Sequence, residues 1–152
     1  MRYFEDIQPG DEETFGDYLV SREEIIDFAG KYDPQPFHLD EAAARQSIFG
    51  ALCASGWQTC AIAMRLMVDK MSETKTASLG SPGVQEIRWL KPVFPGDRLT
   101  LTTKVLATKA SQSRPTLGSV TSSWTLTNQD GVAVMTLTAT AFFGRRPQGE
   151  AA

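Results

Sequence analysis

Near residue 80 the spacing of apolar residues changes from a helical period to a period of two, and that switch limits what the chain can fold into. After it, "RLTLTTKVLAT", "LGSVTSSWTLT" and "VAVMTLTATAFF" each alternate, with the Val, Thr, Leu and aromatic content that favours strands. "NQDGV" joins the last two as a hairpin turn in which Asp130 and Gly131 can take positive φ. "FPGD" before Arg98 and "QPGD" before Glu12 read as turns that open strands, and "ETFGDYL" and "VQEIRWLKPV" as two earlier strands. Ahead of the switch, "SREEIIDFAGKY" opens with a capping box, Ser21 and Glu24, and sets Ile25, Phe28 and Ala29 on one face of a helix ending near Gly30. "DEAAARQ" is a short helix that Asp40 can cap. A longer helix is expected from Ser55 to about Met71. Cys53, Trp57, Cys60, Met64 and Met71 keep its period, while Ile62 and Leu66 make the other side apolar, the mark of a buried helix. One buried helix and a run of antiparallel strands predict an α+β domain whose sheet curls around the helix.

The 152 residues fit one domain, expected over 1–144, with "RRPQGEAA" at 145–152 as a frayed tail. A net charge of −3 lacks the electrostatic footprint of a nucleic-acid binder. The most apolar stretch, "ALCASGWQTCAIAMRLMV", is broken by Gln58 and Arg65 and is too short and polar to span a bilayer. "MRYFEDIQPGDEE" has no apolar core of a signal peptide. Cys53 and Cys60, i,i+7 on the expected helix, lack metal-ligand spacing and are expected to be reduced and buried. The expectation is a cytoplasmic protein with no membrane, metal or nucleic-acid partner.

Candidate chemistry centres on "YDPQPFHLD", which holds the chain's one histidine. Pro34 and Pro36 fix their own φ and bias the residues before them, so the stretch reads as a stiffened loop presetting Asp33 against His38. A carboxylate and an imidazole held together can divide acid and base work. The bland alternative is that Asp33 starts a turn and His38 caps a helix or fills a gap. In "FGALCASGWQT", Ser55 and Gln58 form a second capping box, which makes Ser55 the N-cap and Gly56 the first helical residue. The Gly56 N–H is then without an internal partner at the positive end of a helix, where it suits a developing oxyanion. Gly56 can equally serve close packing alone. Together these groups are the minimum for adding water to a polarised double bond. Gln35, Phe49, Ser55, Trp57 and Trp89 are the candidate substrate contacts, although aromatics at such places more often belong to a core. Arg88, Lys91 and Arg98 can meet phosphates, or simply be solvated.

"FAGKYDPQPFHLDEAAA", "FGALCASGW" and "RWLKPVFPGD" together resemble the MaoC-like dehydratase group of the hot-dog superfamily, which includes (R)-specific enoyl-CoA hydratases; the resemblance spans roughly residues 4–143. It implies that Asp33 and His38 hold the catalytic water and that the Gly56 N–H polarises a thioester carbonyl. It implies a hot-dog fold, and a homodimer or larger assembly in which two sheets become one. The substrate would be an acyl-CoA or acyl-carrier thioester entering near the subunit interface, with no cofactor beyond coenzyme A as part of that substrate. The chain departs from the group's pattern at Gln35, usually Asn, at Tyr32, usually Gly, and at Met64, where some members carry Ser. Two other functions fit the same fold. A thioesterase would use a carboxylate to activate water against the carbonyl carbon; hot-dog thioesterases often place that acid elsewhere, and the central helix offers only Asp69, near its end, while a non-catalytic acyl-thioester binder needs no acid/base pair.

Overall fold

The computed structural model describes residues 1–149; the last three residues of the expected tail lie outside the described residues. After one 3-10 turn at Phe4–Asp6 the elements run β1 (Glu12–Leu19), α1 (Arg22–Tyr32), α2 (Pro36–Leu39), α3 (Glu41–Arg45), α4 (Gly56–Glu73), β2 (Ser78–Trp89), β3 (Arg98–Ala110), β4 (Leu117–Thr127) and β5 (Ala133–Gly144). The strands form a five-stranded sheet in the order β1-β3-β4-β5-β2, and every pairing is antiparallel.

The expected alternation is what builds the core. Leu99 and Leu101 of β3, Trp124 and Leu126 of β4, and Met135 and Leu137 of β5 are buried, and Ile62, Ala63 and Leu66 of α4 pack into the same cluster. Gly16 lets β1 close over the helix: it sits at φ +84°, beside a register shift, and a Cβ there would lie 2.6 Å from a Leu66 methyl. Leu66 is among the buried residues, and truncating such a side chain costs about 2–5 kcal/mol. An antiparallel sheet wrapped on one long helix is the hot-dog fold.

Several local expectations are corrected. α1 runs through Gly30 to Tyr32, and Asp33 is its C-cap. The stiffened loop contains a one-turn helix, α2, because Pro36 stands at its first position, where the missing N–H is harmless. Ser21 caps α1 by accepting from the Glu24 N–H, but the Glu24 carboxylate takes the Tyr18 hydroxyl instead of closing the box. Cys53 lies before α4 rather than on it; both cysteines are free, Cys53 buried and Cys60 partly so. α4 extends to Glu73 and is not buried all round, since Met64 and Val68 are exposed. Ser55 accepts from the Trp57 N–H, yet Gln58 does not complete the box. Its amide is buried with both polar atoms unpartnered. β2 begins earlier than expected and ends at Trp89. In the hairpin only Gly131 takes positive φ, and the Asn128 carboxamide satisfies the Asp130 and Val132 N–H groups. Arg145 and Arg146, read as the start of a frayed tail, are tied by ion pairs to Glu5 and Asp6. Among the described residues, no helix is long and apolar enough to cross a membrane.

Candidate active site

The site is assembled from the end of α1, α2, the residues before α4 and the end of β2. Pro34 allows a tight return in which the Gln35 N–H donates to the Asp33 carbonyl at 2.7 Å. The His38 N–H then donates to Gln35 O at 3.0 Å, which starts α2. As a result Asp33 Oδ2 stands 3.4 Å from His38 Nε2, with side chains 17% and 6% exposed.

His38 Nδ1 lies 2.7 Å from the Cys53 carbonyl. A carbonyl only accepts, so Nδ1 carries the hydrogen, and the neutral ring presents a bare Nε2 to Asp33. Two acceptors at this separation require a shared hydrogen. It comes either from protonation of Nε2 or from a water gripped by both groups. Phe37 meets the imidazole edge-on with centroids 4.6 Å apart, which fixes the ring in its plane.

The Asp33 carboxylate is held from three sides. Burial works to raise its pKa, but donation by Gln35 Nε2 to Oδ1 and by Ser55 Oγ to Oδ2, both at 2.7 Å, with the imidazole alongside, keeps it below the ordinary carboxylate value. Asp33 is thus a persistent anion, suited to orienting a water and to stabilising an imidazolium rather than to holding a proton. Ser55 is buried and spends its hydroxyl on Asp33 and the helix cap, so it reaches the site through Asp33.

Gly56 lines the same cavity, and among the described residues its N–H meets no acceptor. It opens an 18-residue helix, whose positive end points its free amides at this place. The requirement for glycine comes from β2. Trp89 Nε1 donates to Gly56 O at 2.9 Å, and a Cβ on Gly56 would fall 2.6 Å from the indole. Trp57 and Trp89, 58% and 47% exposed, meet in a T-shape with centroids 5.2 Å apart and wall the cavity instead of filling the core. Phe49 stands opposite, 5.3 Å from Phe37. The cavity measures about 410 Å³.

The structure therefore brings Asp33, Gln35, His38, Phe49, Gly56, Trp57 and Trp89 to one cavity, with Ser55 just behind. Sequence reasoning missed Phe37, Thr59 and the Cys53 carbonyl. Phe37 had a signal, its place beside the histidine between two capped helices. A backbone carbonyl has none, because any residue supplies it. Burial pushes the Cys53 thiol up to about 11, which removes it as a nucleophile. Asp69, the central-helix carboxylate considered for a thioesterase, is paired with Arg65 at 3.0 Å, and both it and Glu73, the other carboxylate of α4, lie outside the cavity. Among the described residues, no three His, Cys, Asp or Glu side chains gather as a metal site.

Comparison with known proteins meets this geometry. The MaoC like domain matches residues 6–128. The chain belongs to the MaoC-like domain family. It is similar to the MaoC-like dehydratase of Rhodospirillum rubrum, at 43% identity and a TM-score of 0.87 over 95% of this chain and 98% of that one. The uncharacterized protein YdeM of Bacillus subtilis is 36% identical over 57% of this chain and 61% of its own length. Protein MaoC of Klebsiella aerogenes is 32% identical over 64% of this chain, and the match spans only 29% of that longer protein.

Proposed function

We propose that this MaoC-like domain adds water to 2-enoyl thioesters, and in reverse removes it from 3-hydroxyacyl thioesters, with coenzyme A as the carrier. The observation that carries this reading is the convergence of the Asp33–His38 pair and the free Gly56 N–H on one aromatic-walled cavity. With the thioester oxygen at Gly56, the helix terminus draws electron density toward the carbonyl and leaves the β-carbon electrophilic. A water between His38 Nε2 and Asp33 Oδ2 gives one hydrogen to Nε2 while its oxygen bonds to the β-carbon. The enolate charge rests at Gly56, and the imidazolium, beside the anionic Asp33, returns the proton to the α-carbon. Atoms and charge balance with no further reactant.

The test follows loss of the conjugated enoyl absorbance across acyl lengths, with a thiol reagent in parallel. Hydration bleaches the enoyl band without releasing thiol. Thiol release would instead identify a thioesterase, and tight binding without turnover a carrier or subunit. We also read the outer edge of β2, with Leu79 and Val84 exposed on it and Met64 and Val68 exposed on α4, as the face of a two-fold homodimer. Sedimentation as a monomer at micromolar concentration would reject that assembly.

A further inference from the structure

Among the described residues, Lys91 is the one lysine or arginine lining the catalytic cavity, and the reaction leaves it without a role. Its backbone is fixed: the Leu90 and Lys91 N–H groups both donate to Val134 O, at 2.8 and 3.3 Å, and Pro92 follows. Among the described residues its ammonium has no carboxylate partner, whereas nearby Arg88 is paired with Glu86 at 2.9 Å and Arg98 with Asp17 at 2.6 Å. Beside the cavity lies a second depression of about 420 Å³, formed by Gly50–Leu52, Phe94 and Pro95 together with Glu41 and Arg45. The two adjoin along the chain: Gly50–Leu52 and Phe94–Pro95 of the depression run directly into Cys53–Ala54 and Pro92–Val93 of the catalytic cavity, where the Ala54 N–H donates to Val93 O at 2.8 Å. Arg45 also has no carboxylate partner among the described residues, because Glu41 is taken by Arg22 at 2.7 Å.

Two neighbouring hollows thus each keep one unneutralised cation at the rim, on a chain whose net charge is −3. A net-negative surface repels a polyanion, so capture of one needs local positive charge where it must dock. The interior of the catalytic cavity is aromatic and suits an acyl group, which places any anionic part of the substrate outside, on this rim. We infer that Lys91 and Arg45 form the subsite for the phosphates of coenzyme A. Its pantetheine arm leaves the cavity past Lys91 and crosses into the adjoining depression toward Arg45. This deepens the hydratase reading and rests on it for the direction in which the arm departs.

The experiment compares wild type, K91Q, R45Q and the remote R114Q with an enoyl-CoA and with the matching enoyl-pantetheine, which has no phosphates. K91Q should raise KM for the CoA ester about tenfold, the scale of one charge-assisted hydrogen bond, with kcat little changed. R45Q should raise it less, R114Q not at all, and the pantetheine ester should respond to none of them. Added salt should weaken wild-type binding more steeply than that of K91Q, which keeps only Arg45. An unchanged KM in K91Q, or an equal rise for both substrates, overturns the assignment. So does an effect confined to an acyl-carrier-protein ester, which would mean a protein surface is read there. Free coenzyme A titrated calorimetrically separates the two readings. Lys91-dependent binding without enoyl hydration keeps the subsite and sinks the hydratase, and no binding by the wild type sinks the subsite.

Discussion

The two ends of α4 leave hollows of opposite character. At the far end a cavity of about 110 Å³ is lined by Phe15, Met67, Val105 and Phe143, with Arg2, Asp11, Glu13 and Lys70 at its mouth. Those four charges satisfy one another: Lys70 to Glu13 at 3.0 Å, Arg2 to Glu13 at 3.3 Å and Arg2 to Asp11 at 3.5 Å. At the near end the polar groups are organised but unfinished. Asp33 is held on both oxygens, yet His38 Nε2 and the Gly56 N–H still face open cavity. A closed charge network completes a fold, and groups ordered by their neighbours but left with spare valence can act on something else.

The sharpest way to break this contrast is at the pair itself. Asp33→Asn and His38→Ala should each lower hydration by a factor of about 10²–10⁴, while circular dichroism and melting show a folded protein. Near-normal turnover by either variant would remove the near end from the chemistry. Next comes Gly56→Pro against Gly56→Ala. Both introduce a Cβ against Trp89, so their difference isolates the N–H, and it should amount to about 2.7–4 kcal/mol of barrier. Equal hydration rates in two folded variants would refute the oxyanion role.

Ser55→Ala should have a smaller effect that depends on pH. It removes a helix cap and a donor to a carboxylate, together worth about 1–3 kcal/mol of stability. Because Asp33 is depressed in the folded state, its share is fully present above the ordinary carboxylate value, near pH 4, and drains away as pH falls through the lower folded value. Urea melts of wild type and variant should therefore converge in part as the solution is acidified, leaving the cap term. A penalty of constant size across pH would show that the donor does not hold Asp33 ionised. The smallest effect belongs to the far end. Glu13→Gln, in a half-exposed ion pair, should change stability by about 0–1 kcal/mol and leave hydration untouched. A large loss of rate there would mean that the two ends are coupled.

Legibility in the sequence followed the range of the interactions. The strands and the long helix were readable because burial imposes a period, and Leu99, Leu101, Val120 and Leu126 face inward as alternation requires. Ser21, Asp40 and Ser55 were readable because caps are local. Contacts closed by the tertiary fold were not. Gln58 had the spacing of a capping box, but its side chain is buried in the interior and does not reach back. Trp57 and Trp89 carry the hydropathy of core residues, and only their pairing across the mouth of the cavity makes them its walls. Gly56 was singled out for its amide, while the indole that crowds any side chain there comes from 33 residues away.

The outer edge of β2 has a consequence for solubility. A bare strand invites addition of further strands without limit, the route to fibrils. Here the ladder to β5 shifts register between Ser78 and Gly80, between Gly80 and Gly83, and between Val84 and Glu86. Pro82 contributes no N–H, and Gly80 and Gly83 stand at φ +105° and +158°. The longest run without a break is Glu86–Trp89, and it carries opposite charges at Glu86 and Arg88. Such an edge acts as a gatekeeper: a partner of matching shape can still be accommodated, while an indefinite stack finds too short a template to grow on.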